Sequence, residues 1–249
     1  IKTTIFSPED LILIKGSPSE RRNYLDELLV DLHPKNQALK TTFEKCLKQR
    51  NTLLKQAKGR KTSEIETTLD VWDEKLAESG KALVIKRKEL LENLKPKIEQ
   101  SLKQFTNNQD RITLQYEKTW QSAKLAEQFY TDRENDLRRG ITTNGPHRDE
   151  VFIKVNNLLA KSHSSQGEQR SLALALRLAG HEVIKTTIGH DPIVLLDDVF
   201  SELDATRCQI LIELLPKEQA VLTTTGDLPF GVKPDYKYHV VEGSVEINE

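Results

Sequence analysis

The chain has 249 residues, with 37 Lys and Arg against 38 Asp and Glu, a net charge of −1. At 30% charged and 37% hydrophobic it can form one large domain or two smaller ones, and its aliphatic runs fall far short of the ~20 residues a membrane helix needs. No signal peptide opens it, and two distant cysteines, Cys46 and Cys208, support neither a disulfide framework nor a zinc knuckle, so the expected setting is the cytoplasm.

Residues 1–34 read as a short strand followed by helix starts. Ser17-Pro18-Ser19-Glu20 places Ser at the N-cap, Pro at N1 and Glu at N3, the pattern of a capping box. The helix it opens carries Leu25, Leu28, Leu29 and Leu32 on one face and stops at His33-Pro34. Residues 35–139 read as an inserted helical arm. Leu39, Phe43, Cys46/Leu47, Leu53/Leu54 and Ala57 keep helical spacing up to Gly59. Ile65, Leu69, Trp72, Leu76, Ser79 and Leu83 then step by four and three, the seam of a helix that pairs along its length. Pro96 predicts a kink, Asn107 to Asp110 a turn, and the alternation of Ile112, Leu114 and Tyr116 a short strand. A last arm helix ends at Arg138-Arg139-Gly140, with Gly just past its end.

Residues 140–249 switch to an α/β pattern. Val151, Ile153 and Val155 alternate before an Asn156-Asn157 turn, and a helix is predicted from Gln166 to about Thr187. The apolar run Ile193–Leu196 reads as a buried strand. A helix over 206–215, a strand over 220–224, and a terminal pair of strands around Gly243 complete the chain.

Two places carry chemistry. Pro192-Ile193-Val194-Leu195-Leu196-Asp197-Asp198 ends a strand in two carboxylates, at the sheet edge where α/β proteins bind ligands. The first acid can hold Mg²⁺ and the second orient an attacking water, although paired acids also simply end strands and cap helices. Ser164-Ser165-Gln166-Gly167-Glu168-Gln169-Arg170 opens a helix with a capping box and a Gly in its first turn. Gly there costs about 1 kcal/mol against Ala unless something approaches the backbone, and a helix start with a hydroxyl is a phosphate site in outline. The same pattern also fits an ordinary capped helix. Phe200-Ser201-Glu202-Leu203-Asp204 and Gly145-Pro146-His147-Arg148-Asp149 are, each alone, polar turns. The six histidines show no metal-ligand spacing.

The order of these segments resembles the carboxyl half of an ABC-type ATPase head: signature, Walker B strand, then D-loop. With Phe6-Ser7-Pro8-Glu9-Asp10-Leu11 and Lys15-Gly16-Ser17-Pro18-Ser19-Glu20-Arg21-Arg22, the chain is similar to the RecF family of recombination mediator ATPases from Ile5 to about Val245. The resemblance implies ATP sandwiched in a head-to-head homodimer. Ser165 and Gly167 would meet the γ-phosphate in trans, with Gln166, Glu168, Gln169 and Arg170 shaping the loop. Asp197 would support Mg²⁺, Asp198 would act as base or water-orienting acid, and Ser201 and Asp204 would form the D-loop. Thr223-Thr224-Thr225 stand where many ABC ATPases carry a switch histidine. The resemblance also implies double-stranded or gapped DNA, RecR with RecO as partners, and no membrane. The chain contains no G-x-x-x-x-G-K-[ST] loop and no methionine, so a front segment carrying Walker A is expected before Ile1, and this polypeptide alone is expected to bind ATP weakly and not hydrolyse it.

Charge is unevenly spread. Residues 35–139 hold 23 basic and 16 acidic side chains, net +7, and the rest of the chain carries −8. Lys45, Lys48, Arg50, Lys55 and Lys58 belong to its most basic stretch and are candidates for tracking DNA phosphates, against the alternative of a solvated Lys-rich face. A head of the SMC/Rad50 type, or an interaction module without ATP chemistry, is the competing function. The arm's ~100 residues, against the coiled coils of hundreds in SMC/Rad50 proteins, favour the RecF type.

Overall fold

The chain begins with strand β1 (Thr3–Phe6), a 3-10 turn (Pro8–Leu11), helix α1 (Ile12–Lys15) and helix α2 (Pro18–Leu32); the computed structural model describes residues 2–106, 110–122, 124–215, 219–226, 228 and 231–248. Pro18 takes the first helical position of α2, but the capping box is not formed: the Ser17 hydroxyl pairs with that of Ser19 at 2.6 Å, and the Glu20 N–H donates to the Ser17 carbonyl. Leu25, Leu28 and Leu29 are buried as the pattern requires.

The arm is built from α3 (Pro34–Ala57), α4 (Ser63–Phe105), β2 (Ile112–Glu117) and α5 (Leu125–Arg139). At 43 residues, α4 spans roughly 65 Å. It runs unbroken through Pro96, whose ring removes one N–H from the ladder, because Leu94, Ile98 and Leu102 stay buried on either side. The predicted turn over Asn107–Gln109 lies outside the described residues. Gly140 closes α5 at φ +66, the left-handed conformation that Gly adopts without strain.

The remaining elements are β3 (Glu150–Val155), β4 (Leu158–Leu159), α6 (Ala160–His163), α7 (Gln166–Ile188), β5 (Ile193–Asp197), α8 (Ala205–Leu214), β6 (Ala220–Thr223), β7 (Lys237–Val241) and β8 (Ser244–Asn248). A parallel sheet has the order β1-β5-β6, and an antiparallel one the order β2-β3-β4; β7 and β8 form a hairpin. Asn156 and Asn157, at φ +50 and +68, make the tight turn between β3 and β4. The β5 strand is not buried on both faces. Val194 and Leu196 pack inward with Phe6, Leu174, Leu178 and Leu211, whereas Ile193 and Leu195 are half-exposed, and Ile5 and Val221 beside them are exposed.

Arm and head share one core. Leu76, Leu83, Leu90, Leu94, Ile98 and Leu102 of α4 join Leu172, Ala175, Leu176, Val183 and Ile184 of α7 in a single apolar cluster. Leu54, Ala57, Leu69 and Leu137 form a separate cluster farther out. Charged side chains tie the pieces. Arg87 of α4 donates from Nε and Nη2 to both carboxylate oxygens of Asp26 on α2, each at 2.7 Å, and from Nη1 to the Pro146 carbonyl at 2.8 Å. Asp149 accepts from the Tyr116 hydroxyl and the Thr119 N–H, so the Gly145–Asp149 turn is fastened to β2 and the residues after it. His147 lies in the same turn, with Nε2 3.0 Å from the Thr142 carbonyl; burial pushes its imidazole down to about 4, so it is neutral at pH 7.

Arg50 is the hinge pin of the arm. It is fully buried, donating from Nε to Asp73 on α4 and from Nη1 to Asp136 on α5, both at 2.6 Å, and to the Thr142 hydroxyl at 2.8 Å. Arg133 completes the cluster, with Nε 2.8 Å from the second oxygen of Asp73. Arg50→Ala would leave the buried Asp136 without a cation and Asp73 with Arg133 alone, so we expect a loss of about 3–5 kcal/mol, read as a fall in the urea midpoint. A midpoint equal to that of the wild type would remove the network from the forces holding the arm.

Candidate functional site

Strand β5 delivers Asp197 and Asp198 to the carboxyl edge of the parallel sheet, next to Thr223 at the end of β6. Asp197 is exposed and accepts a 2.7 Å hydrogen bond from the Thr223 hydroxyl. Asp198 sits at φ +46, a left-handed conformation that costs a side-chain-bearing residue roughly 1–2 kcal/mol. Its N–H is shared by the Thr223 carbonyl at 3.1 Å and hydroxyl at 3.2 Å, and its carbonyl accepts from the Ser201 hydroxyl at 2.8 Å, which together hold the strained turn. Asp198 Oδ1 is buried and has no hydrogen-bond partner among the described residues. A carboxylate oxygen kept in that state at the end of a strand is a group awaiting a donor or a cation.

After a 3-10 turn (Val199–Glu202), Asp204 caps α8 by accepting the Arg207 N–H at 2.9 Å, and the Arg207 guanidinium pairs with the same carboxylate. The backbone N–H of Arg207, with its guanidinium, holds the Asp204 carboxyl below the usual carboxylate range.

The N-terminus of α7 carries the capping box read from the sequence. Ser165 N–H donates to Glu168 at 2.6 Å, and the Ser165 hydroxyl accepts the Glu168 N–H at 3.3 Å. Ser165, Gln166 and Glu168 are exposed or half-exposed. Gln169 instead turns inward, 4% exposed, donating to the carbonyls of Ala160 and Lys161 and so fixing α6 against α7. Arg170 forms an ion pair with Glu202. A Cβ on Gly167 would stand 3.0 Å from Nη2 of Arg207, so this glycine has a reason within the chain: a guanidinium lies over it. The turn at the start of α7 and the segment Ser201–Asp204 are therefore neighbours, joined by Arg170 and Arg207.

On the arm, Lys45, Lys48 and Lys55 are exposed along one face of α3, spaced by three and seven residues, with Lys58 exposed at its end. Arg50 leaves this set, because its guanidinium is fully enclosed by Asp73, Asp136 and Thr142. Among the described residues no group of three or more His, Cys, Asp or Glu is placed to hold a metal by itself, and no described helix is long and apolar enough to cross a membrane.

No protein-family model matches the chain. It is 39% identical over 263 residues to the DNA replication and repair protein RecF of Streptomyces avermitilis, covering 99% of this chain and 70% of that protein. It is 35% identical over 288 residues to RecF of Arthrobacter sp., covering all of this chain and 72% of that one. The chain belongs to the RecF family. The solved structure of the recombination mediator protein RecF with ATP superposes on 99% of this RecF-family chain with a TM-score of 0.87 and 31% identity, covering 67% of that structure's chain. The fold is that family's: an α/β head of ABC-ATPase type with an inserted helical arm.

Arg207 and Thr223 hold the site without belonging to a motif. The only trace of Arg207 in the sequence is its spacing three residues after an N-cap Asp; Thr223 is legible there as a position but not as a hydrogen-bonding partner of both acids. Gly167→Ala tests the guanidinium contact. In the wild type we expect no stabilisation, and in an Arg207→Ala background the ordinary helix gain of about 0.5–1 kcal/mol, both from urea unfolding. Equal effects in the two backgrounds would separate the residues.

Proposed function

We propose that this RecF-family chain provides the signature, Walker B and D-loop half of an ATP-gated, DNA-binding recombination mediator that acts at replication gaps. Two copies sandwich ATP head to head. The turn Ser165–Glu168 of one copy meets the γ-phosphate of the nucleotide bound by the other, where the N–H groups and dipole of α7 favour an anion. The oxygen donors of Asp197 suit Mg²⁺, and Thr223 orients them. Bound Mg²⁺ supplies charge neutralisation on the phosphates. Asp198 holds the attacking water and receives its proton, and its buried, unsatisfied Oδ1 is the observation that carries this reading. Ser201 and Asp204 present the D-loop to the facing copy. The 249 residues contain no G-x-x-x-x-G-K-[ST] loop to cradle the phosphates, so on this reading they bind ATP weakly by themselves and do not hydrolyse it. The chains solved with ATP and with an ATP analogue, in the RecFOR pathway, support the nucleotide and RecR, with RecO, as partners.

The exposed lysines of α3 give the arm a face for the phosphates of double-stranded or gapped DNA, and a soluble, cytoplasmic setting follows from that substrate. The domain division 1–34, 35–139 and 140–249 assigns DNA to the middle segment and nucleotide to the other two.

In the full-length protein, Ser165→Arg should abolish ATP-dependent dimerisation on a sizing column while lowering stability in urea only by the loss of one helix cap, about 1 kcal/mol; a normal dimer with ATP would overturn the trans role of the signature. For the arm, Lys45, Lys48 and Lys55 changed together to Glu should weaken duplex binding and flatten the dependence of log K on log salt by about 0.9 for each phosphate no longer neutralised. An unchanged slope would remove DNA from this face.

A further inference from the structure

The signature turn and the D-loop, which the proposed function presents to a facing subunit's nucleotide, are fixed to one another inside a single chain by two arginines, of which Arg207 makes the more extensive contact. Arg207 donates from Nε to the hydroxyl of Ser171, one turn into α7, at 2.8 Å. Its Nη1 pairs with Asp204, and its Nη2 lies over Gly167. Arg170 and Glu202 make a second tie between the same segments. From Asp204 the connection continues along the 3-10 turn to Ser201, whose hydroxyl donates to the Asp198 carbonyl.

The position of this guanidinium is informative. A cation beside a helix N-terminus opposes the helix dipole, so local electrostatics do not favour Arg207 there. It is held in place by Asp204 and Ser171, and Gly167 leaves it room. Only a planar fork reaches both partners while lying flat on the glycine; an ammonium is a point charge without that shape. Ser171 is fully buried, so the anchor point on α7 cannot swing.

We infer that Arg207 is a positioning residue that sets the signature turn and the D-loop at one fixed angle, so that both engage a facing subunit's nucleotide as a single rigid surface. It acts in trans. Its loss therefore damages the site whose signature comes from the altered chain, and spares the site whose catalytic Asp198 belongs to that chain. The inference rests on the ATP-sandwich reading above.

The test uses full-length protein and mixed dimers. Arg207→Ala alone should lower kcat for ATP hydrolysis roughly tenfold or more, about 1.4 kcal/mol per factor of ten, with KM changed less than about threefold. Arg207→Lys, which keeps the charge without the fork, should fail to rescue it. Arg207→Ala subunits are then mixed with Asp198→Asn subunits. Each mixed dimer holds one site that combines the intact Asp198 of the first with the intact signature and D-loop of the second. Hydrolysis severalfold above either parent supports the inference. Mixed dimers as inactive as the parents, or an Arg207→Ala homodimer with wild-type kcat, overturn it. A wild-type protein that neither dimerises nor hydrolyses with ATP overturns the nucleotide reading, and this inference with it.

Discussion

Helix α7 joins the two larger apolar cores of the described residues, because it is enclosed on two sides. One side meets α4 through Leu172, Ala175, Leu176 and Val183; the other meets the parallel sheet through Leu174 and Leu178. Burying a Leu or Val side chain is worth about 1.5–3 kcal/mol, so a shift of α7 would disturb two cores at once. Gly180, against the Tyr24 hydroxyl and Leu28, lets α2 close the third approach. The turn at the N-terminus of α7 is therefore held rigidly, and so are the groups that contact it.

That rigidity gives the site its character. Asp198 is kept in an unfavourable backbone conformation by bonds to Thr223 and Ser201, and the residues beyond it return to α7 through Glu202, Asp204 and Arg207. Strain at the acid and order around it are two aspects of one arrangement: a local cost persists only where the surroundings fix it. The arm uses another device. Its long helices meet across buried charges as well as apolar seams, with Arg50 and Arg133 sharing Asp73. Such a pair adds little over a hydrophobic contact, but it is costly to break, and it sets three helices in register along a slender body.

The sequence conveyed a great deal where a signal is local. The apolar spacing of α3, α4 and α7, the Gly at the end of α5, the Asn-Asn turn and the Ser165–Glu168 box all depend on residues within a turn or two of each other, and all are present. The two acids of β5 and the order of the motifs around them were equally visible. Spacing misled where a competing partner intervened. Ser17 has the right residue at the right offset, yet pairs with Ser19 instead. Arg50 sits among lysines that read as one basic face, but helical periodicity turns it toward Asp73 and Asp136, 23 and 86 residues away.

By itself, then, the sequence determined the main helices and strands, the family, and the places of the paired acids and the capped turn at the start of α7, because each is written in contiguous residues. Only the tertiary structure decided which charges are buried, what lies over Gly167, and that Thr223 and Arg207 hold the site. Those outcomes depend on contacts between segments far apart in the chain, and a side chain's environment is set by what folds against it rather than by what precedes it.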